Sequence, residues 1–599
     1  MRNKYVSSKW KHRLAAACAM AVVLGGSQLN AETAMAATPG TYAGYTVEQK
    51  NDITILPIGQ AKFLAGQKLD FCIEVKNAKA DDINVTIDGK SAEKYFNKKA
   101  VRTANGTAAS YRINDVSFNK AGKVAVKATA KGQEKSVTYT VTDAVAEQKA
   151  KNVILMIGDG MSLQARQMAR ILSKGIAEGR YHDLLEMEKM PQMALITTSG
   201  YDSIVTDSAN SASAYATGQK GVVNSMGVYA DSTKDPLDDP KVENIIELVK
   251  RNKNMATGLV TTASITDATP AAMLAHTRRR AEQNYIAATM LDSCHRPDVI
   301  LGGGQRYFKP QSTAGSKRQD NRNLIAEFEK LGYAYSNDKD SLEKTSKSAT
   351  KLLGLYTPNH MNVYLDREVL RDNSVLGKYN NQPGLVEMTD KAINALSQNK
   401  NGFFLMIEGA CIDKQLHAMD WQRATYDTIE FDQAIAHAKA FADKNKDTLI
   451  IVLADHAHGA SITGTYTEKD GKTGREAVRT YAAGGFPTFE DRDGDGFPDN
   501  PDVDVTLAIQ YANHPDNNMN YKFIKKPTNP TVVKDGIAKA NPAKQGFFEA
   551  GNIPANEDSE VHAADDIVLN AMGPGSDYFH GVMDNTEVFF GMMRALGIK

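Results

Sequence analysis

Acidic and histidine side chains follow three strongly apolar runs of this sequence. Asp159 follows the run NVILMI within the segment IGDG, Glu408 follows FFLMI, and Asp455 with His456 follows TLIIVL. Fully apolar runs of this length are typical of strands buried in a parallel sheet. Because ligands of such sheets bind at the carboxyl ends of the strands, we expect these side chains at one edge of the sheet.

Two further metal-ligand types come shortly after Glu408. Asp413 and His417 lie four residues apart in GACIDKQLH and would share one face of a helix. That spacing suits the binding of one metal ion, although an isolated pair of this kind often arises by chance. Together with the acidic groups at the strand ends, the pair predicts a metal site.

Ser208 precedes an alanine-rich stretch in TDSANSASAYATG that is expected to be helical. Its hydroxyl and the first backbone N–H groups would then lie at a helix N-terminus, which is an anion site. Serine is also a common helix N-cap, so the segment alone leaves both interpretations open. The segment TDATPAA, with Asp267 and Thr269, is likewise typical of an ordinary helix start.

The elements that position these residues begin near residue 150. From there, apolar strand-like runs alternate with helical stretches, which predicts an α/β fold with a mostly parallel sheet and helices on both faces. Between about residues 44 and 146, short alternating runs separated by turn residues predict a small all-β sandwich of immunoglobulin-like type. The sandwich segment contains no histidine, which favours a spacer or interaction module over a catalytic one.

The first 36 residues have the pattern of a secretory signal peptide, in which basic residues precede an apolar run at residues 14–26 and small residues follow. No other apolar run approaches the length needed to span a membrane. Without the leader the chain is slightly acidic, so it lacks the basic footprint of a nucleic-acid-binding protein. These patterns predict an exported protein, periplasmic or extracellular, with no membrane span.

In order along residues 150–599, these segments resemble the alkaline phosphatase family. The family pattern is met in order by IGDG, TDSA with ATG, DATPAA, EG with DK and a histidine, ADHAH, and the late His562 in SEVHAADD. The resemblance implies hydrolysis of small phosphate monoesters, with Ser208 as the nucleophile and a phosphoserine intermediate. It also implies two zinc ions and one magnesium ion, and it is compatible with a homodimer. The partner of the sandwich is not implied.

The resemblance also assigns the metal ligands. The first zinc would be bound by Asp413, His417 and His562. The second zinc, beside Ser208, would be bound by Asp159, Asp455 and His456. Magnesium would be bound by Asp159, Thr269 and Glu408, with Asp267 acting through metal-bound water. His458 would support Asp413 from outside the metal shell. The division agrees with ligand chemistry, since imidazole and carboxylate suit zinc and oxygen ligands suit magnesium.

Two cationic side chains are expected to contact phosphate. The family pattern places a bidentate phosphate clamp at Arg280, and it implies that Lys414 contacts phosphate through water. Spacing alone does not choose among the consecutive Arg278, Arg279 and Arg280. Some family members have histidine at the positions of Asp267 and Lys414. Asn210 stands where a small residue is typical.

A late acidic segment, FEDRDGDGFPDNPDVD, has the spacing of a calcium-binding loop. Its candidate ligands are Asp491, Asp493, Asp495, Asp499 and Asp502. Aspartate replaces the usual terminal glutamate and no flanking helix is evident, so a calcium site and a merely acidic surface loop remain alternatives.

Two other functions compete with monoester hydrolysis. A phosphodiesterase, sulfatase or phosphonoesterase would share the two-metal frame, but a magnesium site and an arginine clamp favour monoesters, and Ser208 lacks the context of a sulfatase nucleophile. A non-enzymatic adhesion protein would use the sandwich on an inactive scaffold. Since no expected ligand is missing, the sequence favours the enzyme.

Overall fold

The computed structural model describes residues 52–105, 108–143, 149–177, 179–463, 465–466, 478–479, 486–489, 501–512, 531–534, 537–540 and 559–598. The predicted signal peptide lies outside the described residues. So do four of the five calcium candidates, Asp491, Asp493, Asp495 and Asp499. The fifth, Asp502, lies within a strand, Pro501–Tyr511. The described residues from Ile53 onward form one compact unit.

Two sheets near the N-terminus enclose a common apolar core that includes Phe63, Phe71, Phe118 and Tyr139. Alternating burial along Gly122–Ala130 shows why the period-2 pattern predicted a half-buried strand. This part of the chain is the predicted all-β sandwich. Its strands are β1 (Ile53–Leu56), β2 (Lys62–Leu64), β3 (Lys68–Lys76), β4 (Asn84–Ile87), β5 (Lys90–Ser91), β6 (Val101–Asn105), β7 (Ala108–Ser117), β8 (Gly122–Ala130) and β9 (Gln133–Thr142). The sheet orders are β1-β3-β7-β6 and β2-β9-β8-β4-β5.

A ten-stranded sheet organises the rest of the unit. In sheet order its strands are β16 (Ala334–Ser336), β17 (Leu352–Leu355), β15 (Val299–Gly303), β14 (Ala256–Ser264), β18 (Phe403–Gly409), β10 (Asn152–Gly158), β19 (Thr448–Ala454), β29 (Ile567–Met572), β13 (Gln192–Thr197) and β30 (Gly581–Asp584). All paired neighbours are parallel except β29, which is antiparallel to both β13 and β19. The four central strands are buried at every position, as apolar runs predicted.

Shorter strands pair outside these sheets. They are β11 (Ile176–Ala177), β12 (Arg180–Tyr181), β20 (Ala457–His458), β21 (Ala460–Thr463), β22 (Thr465–Tyr466), β23 (Val478–Arg479), β24 (Phe486–Phe489), β25 (Pro501–Tyr511), β26 (Thr531–Lys534), β27 (Ile537–Ala540) and β28 (His562–Ala563). The pairing of β20 with β28 places His458 opposite His562. It thereby joins the late histidine to the segment ADHAH.

The α-helices are α1 (Ala92–Phe96), α2 (Leu163–Lys174), α3 (Ser208–Thr217), α4 (Ile245–Lys253), α5 (Ala268–Ala272), α6 (Gln283–Thr289), α7 (Leu324–Lys330), α8 (Lys339–Lys344), α9 (Asn373–Leu376), α10 (Leu385–Leu396), α11 (Cys411–His417), α12 (Trp421–Lys444) and α13 (Glu587–Leu596). Most of the longer helices bury one apolar side against the sheet, as the fold class predicts. In the part of the chain that the structure describes, none is both long and apolar enough to cross a bilayer.

The sandwich contacts the α/β part of the unit through specific polar groups. The Gln67 side chain donates to the carbonyl of Thr217, at the end of α3, over 2.9 Å. Lys62 pairs with Glu587 of α13 over 2.8 Å. The two parts are therefore joined at the helix that carries Ser208.

Candidate active site

The first group of site residues lies where three neighbouring central strands end. Asp159 follows β10, Glu408 lies near the end of β18, and Asp455 follows β19. The strand pairing sets Ile157 opposite Glu408 and Gly158 opposite Ala454, so the three acidic side chains share one edge of the sheet. This edge is the carboxyl end of the parallel strands, where the apolar pattern placed them.

A tight turn after β10 makes room for two other site residues. Gly160 has φ of 63°, and a Cβ atom there would lie 2.6 Å from the His458 ring and 3.1 Å from Asp413 Oδ1. Its backbone N–H donates to Asp455 Oδ1 over 3.0 Å. The glycine of IGDG is thus required both for its backbone conformation and for the close approach of these side chains.

Ser208 is the first residue of α3, and the helix cap is Asp207. The Asp207 carboxylate accepts from the N–H of Asn210, and the Asn210 amide oxygen accepts from the N–H of Asp207, each over 3.2 Å. This capping box explains Asn210, and it shows that the N-cap interpretation of Ser208 is wrong. The buried Ser208 Oγ instead lies 3.2 Å from His456 Nε2 and 3.3 Å from Asp159 Oδ1.

Two histidines face one another beside Asp413. His417 Nδ1 lies 2.7 Å from the carbonyl of Glu560, and His562 Nδ1 lies 2.8 Å from the carbonyl of Thr206. Since a carbonyl only accepts, each Nδ1 carries its ring proton and each Nε2 of a neutral ring has a bare lone pair. The two Nε2 atoms are 3.0 Å apart, and they lie 3.3 and 3.7 Å from Asp413 Oδ1.

The His458 ring supports the same carboxylate. Its Nε2 atom lies 2.6 Å from Asp413 Oδ1. Burial, followed by the nearby His456, lowers the pKa of His562 to about 3, which keeps that imidazole neutral. Two imidazole nitrogens and a carboxylate oxygen therefore converge at one place, and the neutral His562 presents a lone pair there.

A second group of donors surrounds Ser208. His456 Nε2 lies 3.3 Å from Asp159 Oδ1 and 3.6 Å from Asp455 Oδ2. Within the described ranges, the buried Asp455 Oδ2 and His456 Nδ1 atoms have no hydrogen-bond partner. Burial and the charge of Asp159 raise the pKa of Asp455 to about 7. Burial opposes a charge on the His456 ring, but Asp455 and Asp159 raise its pKa to about 10, so a positive charge beside these carboxylates is favourable.

A third group consists of oxygen donors. Thr269, in α5, has a buried hydroxyl without a hydrogen-bond partner among the residues described. Glu408 accepts a short hydrogen bond from the Thr261 hydroxyl. Burial and the charge of Asp159 raise the pKa of Glu408 well above its ordinary value. A hydroxyl and carboxylates are oxygen ligands of the kind that a hard divalent ion prefers.

Lys414 lies among the carboxylates. Its Nζ atom is 3.4 Å from Asp267 Oδ2, 3.4 Å from Asp413 Oδ2 and 3.6 Å from Asp159 Oδ2. Burial alone would lower the pKa of Lys414, but Asp267 and Asp159 raise it well above its ordinary value. Even with Arg280, the fixed cations are outnumbered by the site carboxylates Asp159, Asp267, Glu408, Asp413 and Asp455.

The three consecutive arginines have different surroundings. The Arg278 guanidinium donates to the backbone carbonyls of residues 231, 233 and 235. The Arg279 side chain is 61% exposed and lies 3.8 Å from Glu282. Arg280 lies 3.3 Å from Asp207, which precedes Ser208, and 3.0 Å from Asp267. Of the three arginines, Arg280 thus contacts two acidic residues of the candidate site, and its role as the phosphate clamp stays a prediction.

Sequence reasoning missed residues that complete the site. His360 Nδ1 accepts from the N–H of Ser264 over 3.3 Å and lies 3.8 Å from Asp267 Oδ2. It follows β17, so its position after an apolar strand was the available signal. Thr261, which binds Glu408, was hidden inside the apolar strand β14, where nothing in the pattern distinguished it.

The donor sets fit divalent metal ions. Facing imidazole nitrogens beside a carboxylate suit zinc, and the Thr269 hydroxyl with carboxylates suits magnesium. An α/β sheet whose carboxyl edge carries a buried serine next to clustered cation ligands defines a class of metal-dependent hydrolytic enzyme.

Comparison with known proteins identifies the family. Residues 150–598 match the family model described as alkaline phosphatase. Alkaline phosphatase H of Pseudomonas aeruginosa is 31% identical over 511 residues, covering 80% of this chain and 92% of that protein. Alkaline phosphatase of Escherichia coli is 29% identical over 497 residues, covering 77% and 89%. This chain belongs to the alkaline phosphatase family and is a phosphoric monoester hydrolase.

Solved structures agree on the fold. The alkaline phosphatase of Thermus thermophilus matches with a TM-score of 0.54 and 23% identity over 76% of this chain and 93% of that one. A mutant of the TAB5 alkaline phosphatase, described with Mg bound, matches with a TM-score of 0.52 and 24% identity over 76% and 99%. The predicted α/β fold class is confirmed.

Proposed function

We propose that the chain hydrolyses small phosphate monoesters through a phosphoserine intermediate on Ser208, in a site that binds two zinc ions and one magnesium ion. The observation that carries this proposal is the convergence of three metal-ligand atoms. His417 Nε2 and His562 Nε2 lie 3.0 Å apart, and they lie 3.3 and 3.7 Å from Asp413 Oδ1. Two imidazole nitrogens and a carboxylate oxygen in one place are ligands that zinc prefers. Ser208 is separated from this cluster only by His456.

The donors divide as the ligand chemistry requires. The first zinc would be held by Asp413, His417 and His562. The second zinc would be held by Asp159, Asp455 and His456. Magnesium would be held by Asp159, Thr269 and Glu408, with Asp267 at the edge of that shell. When bound, such ions neutralise negative charge on phosphate and make ionisation of coordinated oxygens easier.

The protein's own groups then have defined tasks. Ser208 Oγ loses its proton and forms a bond to phosphorus while the bond from phosphorus to the alcohol oxygen breaks, and the alcohol leaves with a proton taken from water. A water molecule then loses a proton and attacks phosphorus, which breaks the Oγ–P bond, returns a proton to Oγ and releases inorganic phosphate. The N-terminus of α3 and the fork of Arg280 bind the non-bridging oxygens. Asp207 and Asp267 hold that fork in place before substrate binds. Lys414, which lies among the site carboxylates, supplies a further positive charge to the site.

The remaining parts of the proposal concern organisation and location. Residues 1–36 would direct export to the periplasm or the cell exterior, residues 44–146 would form the immunoglobulin-like module, and residues 150–599 would form the catalytic domain. The acidic segment 491–502 would either bind calcium or form an acidic surface loop, and a homodimer is compatible with the family. The sequence pattern of the leader and the strands from Ile53 to Thr142 support the first two assignments.

A paired substrate assay tests the proposal. We expect p-nitrophenyl phosphate to be hydrolysed in strong preference to bis-p-nitrophenyl phosphate, from neutral to alkaline pH. Prolonged chelation should abolish activity, and zinc with magnesium should restore it while calcium alone should not. Preference for the diester would contradict monoester hydrolysis, and full activity after verified removal of metal would contradict the metal requirement.

A further inference from the structure

A second cluster of metal-ligand side chains lies outside the candidate active site. Ligand atoms of Glu247, His276 and His295 all lie within 4.8 Å of one another. Three separate segments supply them, since Glu247 belongs to α4, His276 follows α5 and His295 follows α6. Neither the reaction proposed above nor the active-site metals use any of these side chains.

His276 lies between two groups that can only accept hydrogen bonds. Its Nδ1 atom is 2.8 Å from the Gly227 carbonyl and its Nε2 atom is 3.0 Å from Glu247 Oε2. A neutral imidazole carries one N–H, so one of its nitrogens must present a lone pair to an acceptor. Nε2 also lies 3.3 Å from the Asn244 amide nitrogen, farther than from the carboxylate. Burial opposes a charge on this ring, but Glu247 raises the pKa of His276, so that a second proton on the ring satisfies both acceptors. A divalent cation at Nε2 would take the place of that proton.

The Glu247 carboxylate is shared by two histidines. Oε2 faces His276 and also accepts from the Asn244 backbone N–H over 3.0 Å. Oε1 lies 3.0 Å from His295 Nε2. Among the described residues, the buried His295 Nε2 atom makes no hydrogen bond of acceptable geometry. The other ring nitrogen, Nδ1, lies 3.2 Å from Cys294 Sγ. Two imidazole Nε2 atoms thus flank one carboxylate. The distance from each Nε2 atom to its carboxylate oxygen is similar to the distance between two ligand atoms that bind one zinc ion.

The cluster adjoins a cavity of about 600 Å³. Glu247, His276 and Cys294 line one part of it, and Lys68 and Asp70 of the sandwich line another. Water in this cavity can supply a further metal ligand.

Two cationic side chains that line the cavity have partners other than Glu247. Lys250 donates to the carbonyl of Arg296 over 2.7 Å, and Arg251 pairs with Glu243 at 2.6 Å. The Glu247 carboxylate has its own close contacts with the two histidines, each at 3.0 Å.

We propose that Glu247, His276 and His295 bind one zinc-like divalent ion, with water from the cavity completing the shell. Two imidazoles and one carboxylate are borderline ligands that suit zinc better than calcium or magnesium. The hydrogen bond from His276 Nδ1 to Gly227 fixes the tautomer that leaves Nε2 free to coordinate. The ion would crosslink α4 to the segment that runs from His276 to Arg280, and so its role is structural.

Metal content of matched variants tests this site. The holoenzyme, with zinc and magnesium, is dialysed against a series of free-zinc concentrations, and bound zinc per chain is measured by elemental analysis. His295→Gln removes one ligand and keeps the contact of His276 with Glu247. The matched control is His437→Gln, because His437 lies 2.9 Å from Asp390 on the exposed surface and the pair has no second histidine.

We expect wild type and His437→Gln to bind one zinc ion more than His295→Gln, with p-nitrophenyl phosphate hydrolysis unchanged in all three. Equal zinc content and equal zinc affinity in wild type and His295→Gln would overturn the proposal. Should His295→Gln fail to fold, zinc-edge anomalous diffraction from wild-type crystals decides. A peak bonded to both Nε2 atoms supports the site, and its absence at saturating zinc refutes it.

Discussion

Buried polar groups in two regions of this molecule differ in how they are satisfied. Where the sandwich meets the α/β part, Asp70 accepts from the Asp115 N–H, from Arg112 and from the Lys241 N–H. In the candidate active site, by contrast, Asp455 Oδ2, His456 Nδ1 and the Thr269 hydroxyl have no hydrogen-bond partner among the described residues. Asp70 is satisfied by donors of the chain itself, whereas the active site leaves several buried ligand atoms unpaired. A group of unpaired ligand atoms, rather than acidic residues as such, marks the functional site.

The largest expected effect comes from Ser208→Ala. Loss of the nucleophile should lower kcat for p-nitrophenyl phosphate by roughly four orders of magnitude or more. Zinc content and thermal stability should stay unchanged, because Asp207 and not Ser208 caps α3. Steady-state kinetics and elemental analysis check this, with Ser397→Ala at an exposed helix end as the control. An unchanged kcat in Ser208→Ala would show that the reaction does not use this serine as its nucleophile.

A smaller effect is expected from Arg280→Ala. Removal of one oriented donor to the developing phosphate charge should lower kcat/KM about 100-fold. Arg279→Ala is the matched control, since that neighbouring side chain is exposed and lies 3.8 Å from Glu282. Equal losses in the two variants would indicate a general charge effect and would remove Arg280 from the proposed clamp.

A substitution where the sandwich meets the α/β part should lower the stability of the protein and leave catalysis unchanged. Arg112→Ala breaks its ion pair with Asp70 at 2.8 Å, together with hydrogen bonds to the carbonyls of residues 238 and 239. We expect the free energy of unfolding to fall by about 1–3 kcal/mol, with kcat unchanged. Denaturant unfolding measures the loss, and Lys99→Ala, on a 93% exposed side chain, is the control. A large loss of kcat would show that the two regions are coupled.

The smallest effect concerns pH. Burial raises the pKa of Asp239 to about 6, against the opposing hydrogen bond from Asp231 and the charge of Arg278. The folded state therefore favours the protonated carboxyl, whose stabilisation is complete below about pH 4 and is lost as pH rises through about 6.

The variant Asp239→Asn should retain that stabilisation. Relative to wild type it should gain roughly 1–2 kcal/mol above pH 6 and nothing below pH 4. Unfolding measured across this range checks the sign, and Asp238→Asn, at the exposed neighbouring residue, controls for the loss of an acidic group from the same loop. A gain that grows toward low pH would contradict the account.

The sequence was most informative where position along a strand decides chemistry. Asp159, Glu408 and Asp455 follow apolar runs, so the sheet edge that gathers them was predictable. The position of Arg280 was not predictable, because the three consecutive arginines differ only in their surroundings in the fold. The Arg278 guanidinium, for example, donates to backbone carbonyls. His360 required knowledge of the loop after β17. The cluster of Glu247, His276 and His295 joins three distant segments, and no spacing in the sequence connects them.

The central claim is that phosphate passes through Ser208. The most direct test is mass spectrometry of peptides from holoenzyme quenched in acid during turnover of a phosphate monoester. The account predicts one phosphoryl group on the peptide containing Ser208, and none in Ser208→Ala treated in the same way. A phosphoryl group on another residue of the wild type, or an equal amount in Ser208→Ala, would contradict it.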